Sequence, residues 1–226
     1  GLGDVYKRQR QSPGRFAWTM TLLSSGLAYA LAALGVWYTA GQLRLNRRGA
    51  VALTAAFALA TVSVVYARHV NSHGILLGVA VWVWAVMVRL THAEVGQDSP
   101  ARRHMLLVIF GTLLGLGYSL ESAAGPLLVV CGALWAIFRL RDARAVLIVG
   151  LCALPWITTH HLLNYAVFGM IGPANAVPAH FQFPGSVFKS ENMTGSWNHT
   201  SVIDFFTYSV GLWVGRRGFV LHNLPL

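Results

Sequence analysis

An all-α polytopic membrane bundle is the fold class this sequence predicts. The expectation is about six transmembrane helices and a long external loop containing a short interfacial helix. Three observations carry it. Hydrophobic residues make up 55% of the chain and charged residues 11%, against about 25% charged in soluble domains, and mean hydropathy is +0.56. The apolar residues fall in runs joined by short polar connections. The arginines gather in every second connection. A formal net charge of +10 taken alone suits a nucleic-acid partner. Arginines dispersed in small groups between apolar runs are instead the habit of a membrane protein, so nucleic acid is excluded and the lipid bilayer is the expected partner. Cys131 and Cys152 both lie inside apolar runs and imply neither a disulfide framework nor a Cys-based metal motif.

The runs cover residues 16–40, 50–67, 70–90, 104–120, 123–140 and 145–158. The first is long enough to cross the ~30 Å hydrocarbon core with tilt. The later ones are shorter and have to stand upright or pack inside the bundle. Helices are expected throughout, because backbone groups in hydrocarbon must be satisfied within the segment. Gly111, Gly115 and Gly117, with Ala133 and Ala136, suit close helix packing in lipid. Pro126 and Pro155 are expected near segment ends.

Orientation follows from the arginines. Arg44, Arg47 and Arg48 occupy one connection, Arg89, Arg102 and Arg103 a second, and Arg139, Arg141 and Arg144 a third. The connections between these hold only Arg68. The alternation predicts that the arginine-rich turns are cytoplasmic and that the others, with residues 158–225, are external. The expected location is the bacterial inner (plasma) membrane.

The expected organisation is a set-aside stretch at 1–11, a helix bundle at 12–158, and at 159–226 a loop, an interfacial helix and the start of a further span. The opening Gly1-Leu2-Gly3-Asp4-Val5-Tyr6-Lys7-Arg8-Gln9 resembles a translated sequencing adapter, and the whole reads as an internal fragment of a longer protein. Pro173, Pro178 and Pro184, with Gly172 and Gly185, argue against long helices in the loop. Phe181, Phe183, Phe188 and Trp197 argue that it packs over the helix ends. Residues 202–214 are apolar and aromatic but too short to span, which suits a helix in the membrane interface. Asn192-Met193-Thr194 and Asn198-His199-Thr200 match N-glycosylation sequons.

Polar residues cluster on the external side. Of the nine histidines, His69, His73, His160, His161, His180, His199 and His222 map there. Arg68, Asn71, Tyr118, Glu121 and Asn164 join them near helix ends. An ionisable side chain at membrane depth is by default a functional hypothesis, and at a helix end it has the alternative of snorkelling to the headgroups. His69 and His73 stand four apart and share a face if the helix is continuous there. Arg68 can hold phosphate with a bidentate fork or simply snorkel. Glu121 can be a general base, a metal ligand, a partner of Arg68 or a wetted helix-end carboxylate. His160 and His161 follow the outer end of the last run. The candidate substrate-binding set is therefore Arg68, His69, Asn71, His73, Glu121, His160 and His161. No strong metal-ligand spacing occurs, and a divalent metal is left open as a cofactor.

Arg15-Phe16 opens a span, Arg47-Arg48-Gly49-Ala50 opens the next, Val65-Tyr66-Ala67-Arg68 closes it and Asn71 opens a third. This succession resembles the early core of GT-C-type membrane glycosyltransferases of the protein mannosyltransferase and aminoarabinose-transferase kind. Gly215-Arg216-Arg217-Gly218-Phe219, followed by Asn223-Leu224-Pro225, resembles the point where those proteins re-enter the membrane. The resemblance implies a polyprenyl-phosphate sugar donor used at the external face, with Arg68 on the donor phosphate. It also implies a catalytic Asp in an external loop upstream of the first run, so the catalytic base is unknown. Where the family often carries a second acid after Tyr-x-Arg, this chain has Asn71 and His73. The alternative class is a non-enzymatic polytopic transporter or assembly protein. Internal repeats or broken helices with midplane charges would favour it.

Overall fold

A computed structural model describes residues 12–93, 99–122, 124–172, 184–185 and 201–214. The expectations for the adapter-like start, for His180, His199 and His222, for the loop aromatics, both sequons and Gly215–Pro225 lie outside these. The described residues are mostly helical, and no strand occurs among them. The chain divides into two compact units, Gly1–Leu163 and Asn164–Leu226.

In the first unit α1 runs Pro13–Gln42, with a single π-helical stretch at Leu22–Gly26. α2 follows at Arg47–Ala60 and a one-turn α3 at Ser63–Tyr66. α4 spans Ser72–Ala93, α5 Pro100–Leu120, α6 Ala124–Leu140 and α7 Ala143–Phe168, whose residues from Asn164 on fall in the second unit. Each of the six expected runs is helical over most of its length. Among the described residues four helices are long and apolar enough to cross a membrane: α1, the Ser72–Thr91 part of α4, α5 and α7. α2 has 14 residues and rises about 21 Å, short of a hydrocarbon core of about 30 Å.

Two boundaries differ from the sequence expectation. The second run breaks at Thr61, which turns extended. Thr61 Oγ1 donates back to the Phe57 carbonyl at 2.7 Å, and its hydroxyl also meets that of Ser63. Side-chain hydroxyls thus compete with the helical ladder. The last run continues past residue 158 to Phe168 and carries Pro155 in its interior rather than near its end.

Packing fixes the course of the helices. Ser25 meets Asn71, and Trp82 Nε1 donates to the Leu31 carbonyl at 3.0 Å, so α1 and α4 run in the same direction. A methyl group built on Gly117, near the end of α5, would lie 3.4 Å from Val79 Cγ1 and 3.6 Å from Leu76 Cδ1, near the start of α4. With only six residues between the two helices in sequence, α5 runs antiparallel to α4. Gly111 abuts Val149 and Gly115 abuts Ala153, so α7 runs parallel to α5. The fully buried centre is Phe110, Leu107, Leu114 and Leu90, with Trp135 edge-on to Phe110 at 5.4 Å.

The arginine-rich turns consequently share one end of the bundle. There Asp142 Oδ2 accepts from both terminal nitrogens of Arg103, at 3.1 and 3.2 Å. Its Oδ1 caps α7, accepting from the N–H groups of Arg144 and Ala145 at 3.0 and 3.3 Å. The Arg103 hydrogen bond first, and the Ala145 N–H second, hold the Asp142 carboxyl below its ordinary value. A depressed carboxyl contributes stability above the ordinary carboxylate range and loses it as pH falls through the lowered value. Asp142→Asn is therefore expected to lower the unfolding temperature in detergent modestly at neutral pH. The difference from the parent should close below about pH 4. A pH-independent difference would show that the charge is not what matters.

In the second unit α8 forms over Val202–Val214, the stretch expected to be helical. Val202, Phe206, Val210 and Val214 recur at every fourth position and are all exposed. They form one apolar stripe on the helix.

Candidate functional site

The expected polar residues of the first unit stand at the end of the bundle opposite the arginine-rich turns. The start of α4 lies beside the end of α5 through the Leu76–Gly117 approach. Ser119 Oγ donates to the Trp156 carbonyl at 3.0 Å, which brings α7 alongside.

The turn between α3 and α4 is organised by Asn71. Its Nδ2 donates to the carbonyls of Tyr66 and His69, each at 2.8 Å. Its Oδ1 accepts from the Gly74 N–H at 2.7 Å. That last bond is an N-cap, which starts α4 at Ser72. The Asn71 N–H donates to Ser25 Oγ at 3.1 Å, and the same hydroxyl donates back to the Asn71 carbonyl at 3.2 Å. Ser25 is fully buried, so this reciprocal pair ties the turn to α1 in a dry setting.

The cap also decides the histidines. His69 sits in a bend before α4 and His73 sits inside it, so the two do not share the face of a continuous helix. His73 packs edge-on against Tyr66, ring centroids 6.1 Å apart. It helps line a small pocket with Phe57, Thr61, Ser63 and Leu77. His69 is exposed.

Arg68 faces a different opening. A pocket of about 460 Å³ is lined by Ala17, Trp18, Thr21, Leu22, Gly26, Ala67 and Arg68. Leu22 and Gly26 belong to the π-helical stretch of α1, a distortion that recurs at functional sites. Apolar walls thus meet one guanidinium, which is exposed and has no hydrogen-bond or ion-pair partner among the described residues.

A second polar group joins α5 to α7. Tyr118 Oη and His161 Nε2 are hydrogen-bonded at 2.9 Å. His160 stands edge-on to Tyr118 at 5.6 Å and to His161 at 5.3 Å. Both histidines lie within α7 rather than beyond its end. Glu121 is spent locally: Oε2 accepts from the Ala124 N–H and its carbonyl accepts from the Gly125 N–H at 3.1 Å, so it starts α6. Glu121 forms no ion pair with Arg68. No group of three or more His, Cys, Asp or Glu side chains able to hold a metal occurs among the described residues.

Searches against protein-family models, curated proteins and solved structures return no match.

The sequence reading did not single out Ser25, Trp18 and Thr21. The available signal was the pair Ser24-Ser25 followed by Gly26, a polar interruption inside the first apolar run.

Asn71→Ala is expected to lower stability by about 2 kcal/mol through the lost cap and the two orphaned carbonyls. Thermal unfolding in detergent measures it. Unchanged stability together with weakened ligand binding would make Asn71 a ligand-contacting residue instead.

Proposed function

We propose that this chain is the membrane core of a glycosyltransferase that moves a sugar from a polyprenyl-phosphate donor to an acceptor at the external face. All six apolar segments cross the bilayer in this reading, α2 and α6 supported by their neighbours. The observation that carries it is the Arg68 pocket. A polyprenyl phosphate has an apolar chain and a phosphate, and the pocket supplies apolar walls beside an unpartnered guanidinium. The exposed His69, next to Arg68 in sequence, is a second candidate donor to phosphate or sugar, and the Tyr118–His161 pair offers a proton-sharing contact at the same end. The exposed apolar stripe of α8 suits a helix lying in a membrane interface.

The test is photolabelling in membranes with a polyprenyl phosphate that carries a diazirine on the isoprene unit nearest the phosphate. Label is expected on residues 17–26 and 67–68, and unlabelled polyprenyl-phosphate sugar should compete it away. Even labelling around the bundle, unaffected by competitor, would overturn the proposal. Competed label with lipid movement but no sugar transfer by the full-length protein would favour the transporter class.

A further inference from the structure

The opposite end of the bundle carries a feature that the glycosyltransferase reading does not use. A slot of about 390 Å³ opens between α1, α2 and α4, within the range of ~300–1,000 Å³ usual for small-molecule sites. Val36, Leu43, Leu53, Phe57 and Trp84 form most of its wall. Thr39 is the one hydroxyl in the lining, and it is spent on the Gly35 carbonyl at 2.8 Å. Leu43, Leu53 and Trp84 are 51%, 43% and 57% exposed, so the slot faces out of the bundle.

The chain leaves the slot through Leu43 and turns at once into Arg44. Arg47 and Arg48 then open α2, the helix that supplies Leu53 and Phe57. All three arginines are exposed, and none has a hydrogen-bond or ion-pair partner for its guanidinium among the described residues. Arg44 is also held at φ 57°. The Arg44 N–H donates to the Gly41 carbonyl and the Leu45 N–H to the Ala40 carbonyl. That is the Schellman arrangement, whose left-handed residue is usually glycine. The chain thus keeps a guanidinium at a backbone position that glycine fills with less strain.

We propose that this slot binds an anionic phospholipid of the surrounding leaflet. One acyl chain lies along Leu43, Leu53, Phe57 and Trp84, and the headgroup phosphate sits among Arg44, Arg47 and Arg48. Apart from the Trp84 indole N–H the walls offer hydrocarbon, which suits an acyl chain better than a peptide or a sugar. Two of the three helices that wall the slot, α1 and α4, are long and apolar enough to cross a membrane, and the charges stand at its mouth, where headgroups lie. Three unmatched cations prefer a headgroup of net negative charge over a zwitterionic one, whose own amine already answers its phosphate.

The experiment uses the full 226-residue chain in detergent micelles, titrated with phosphatidylglycerol or phosphatidylcholine of the same acyl chains and read by native mass spectrometry. Phosphatidylglycerol is expected to bind at least about tenfold tighter. The triple substitution R44Q/R47Q/R48Q should remove that preference and leave phosphatidylcholine unchanged. The triple R139Q/R141Q/R144Q, at the same end but away from the slot, should stay within about twofold of the parent. Ala80→Phe, which fills the slot, should weaken phosphatidylglycerol binding with all arginines intact; if it does not fold, Leu53→Gln makes the wall polar instead. Equal retention of the two lipids overturns the proposal. Equal losses in the two arginine triples also overturn it, because they mean diffuse attraction to a basic surface.

Discussion

Gly115→Leu is expected to prevent the folded bundle from accumulating. A Cβ added at Gly115 would lie 2.8 Å from Ala153 Cα and closer still to the Ala153 carbonyl oxygen. One turn earlier, a Cβ at Gly111 would lie 2.9 Å from both Val149 Cα and Cys152 Cβ. The obstacles are largely backbone, which cannot rotate aside. A leucine at either position has to push α7 off α5 along the whole seam. Overpacking of a well-packed core costs ~1–3 kcal/mol where side chains can yield, and here most of the opposing atoms cannot. The matched control is Gly150, which has nothing within 4 Å of its built Cβ. Gly150→Leu should leave yield and unfolding temperature near the parent, with the helix-propensity gain offsetting small losses. Monodisperse material at parental yield and unfolding temperature from Gly115→Leu would refute the close α5–α7 seam.

On the proposed glycosyltransferase function, Arg68→Ala is expected to raise the donor concentration needed for half-maximal transfer by the full-length protein about ten- to a hundred-fold. The basis is a charge-assisted contact worth roughly 1.5–3 kcal/mol. The guanidinium is exposed and unpartnered among the described residues, so its removal should leave unfolding temperature and membrane insertion unchanged. That separates Arg68 from Asn71, whose loss should act on stability. Arg68→Lys should recover only part of the function, because it keeps the charge and loses the planar fork. Unchanged donor dependence in Arg68→Ala would mean that the arginine only snorkels.

The all-helical bundle was legible because two signals are robust to detail. Runs such as 72–91 stay apolar over a whole membrane thickness, and the arginine groups recur in alternate turns. The structure brings Arg103 and the Asp142 turn together, as that alternation requires. The break at Thr61 was not legible, since no glycine or proline marks it and it arises from hydroxyls that bond their own backbone. Pro155 misled in the other direction: it punctuates a soluble helix, whereas a membrane helix tolerates it. Asn71 read as a ligand because a polar residue beside a membrane draws a functional reading. Its position before Ser72-His73-Gly74 also fits an N-cap, and the hydrogen bonds select that role. Trp18 and Thr21 were out of reach, because their meeting with Arg68 depends on how the α3–α4 turn folds back along α1.

The parallel course of α5 and α7 has a consequence for biogenesis. Neighbours that point the same way cannot form as a hairpin. The nascent chain must first lay down α6 in the opposite sense, then deliver α7 to a seam prepared for it. A chain released from the ribosome at Leu140 would carry Gly111 and Gly115 on a face left to lipid. Quality-control proteases that survey unassembled helices would meet that bare face until α7 emerges from the insertion machinery and covers it.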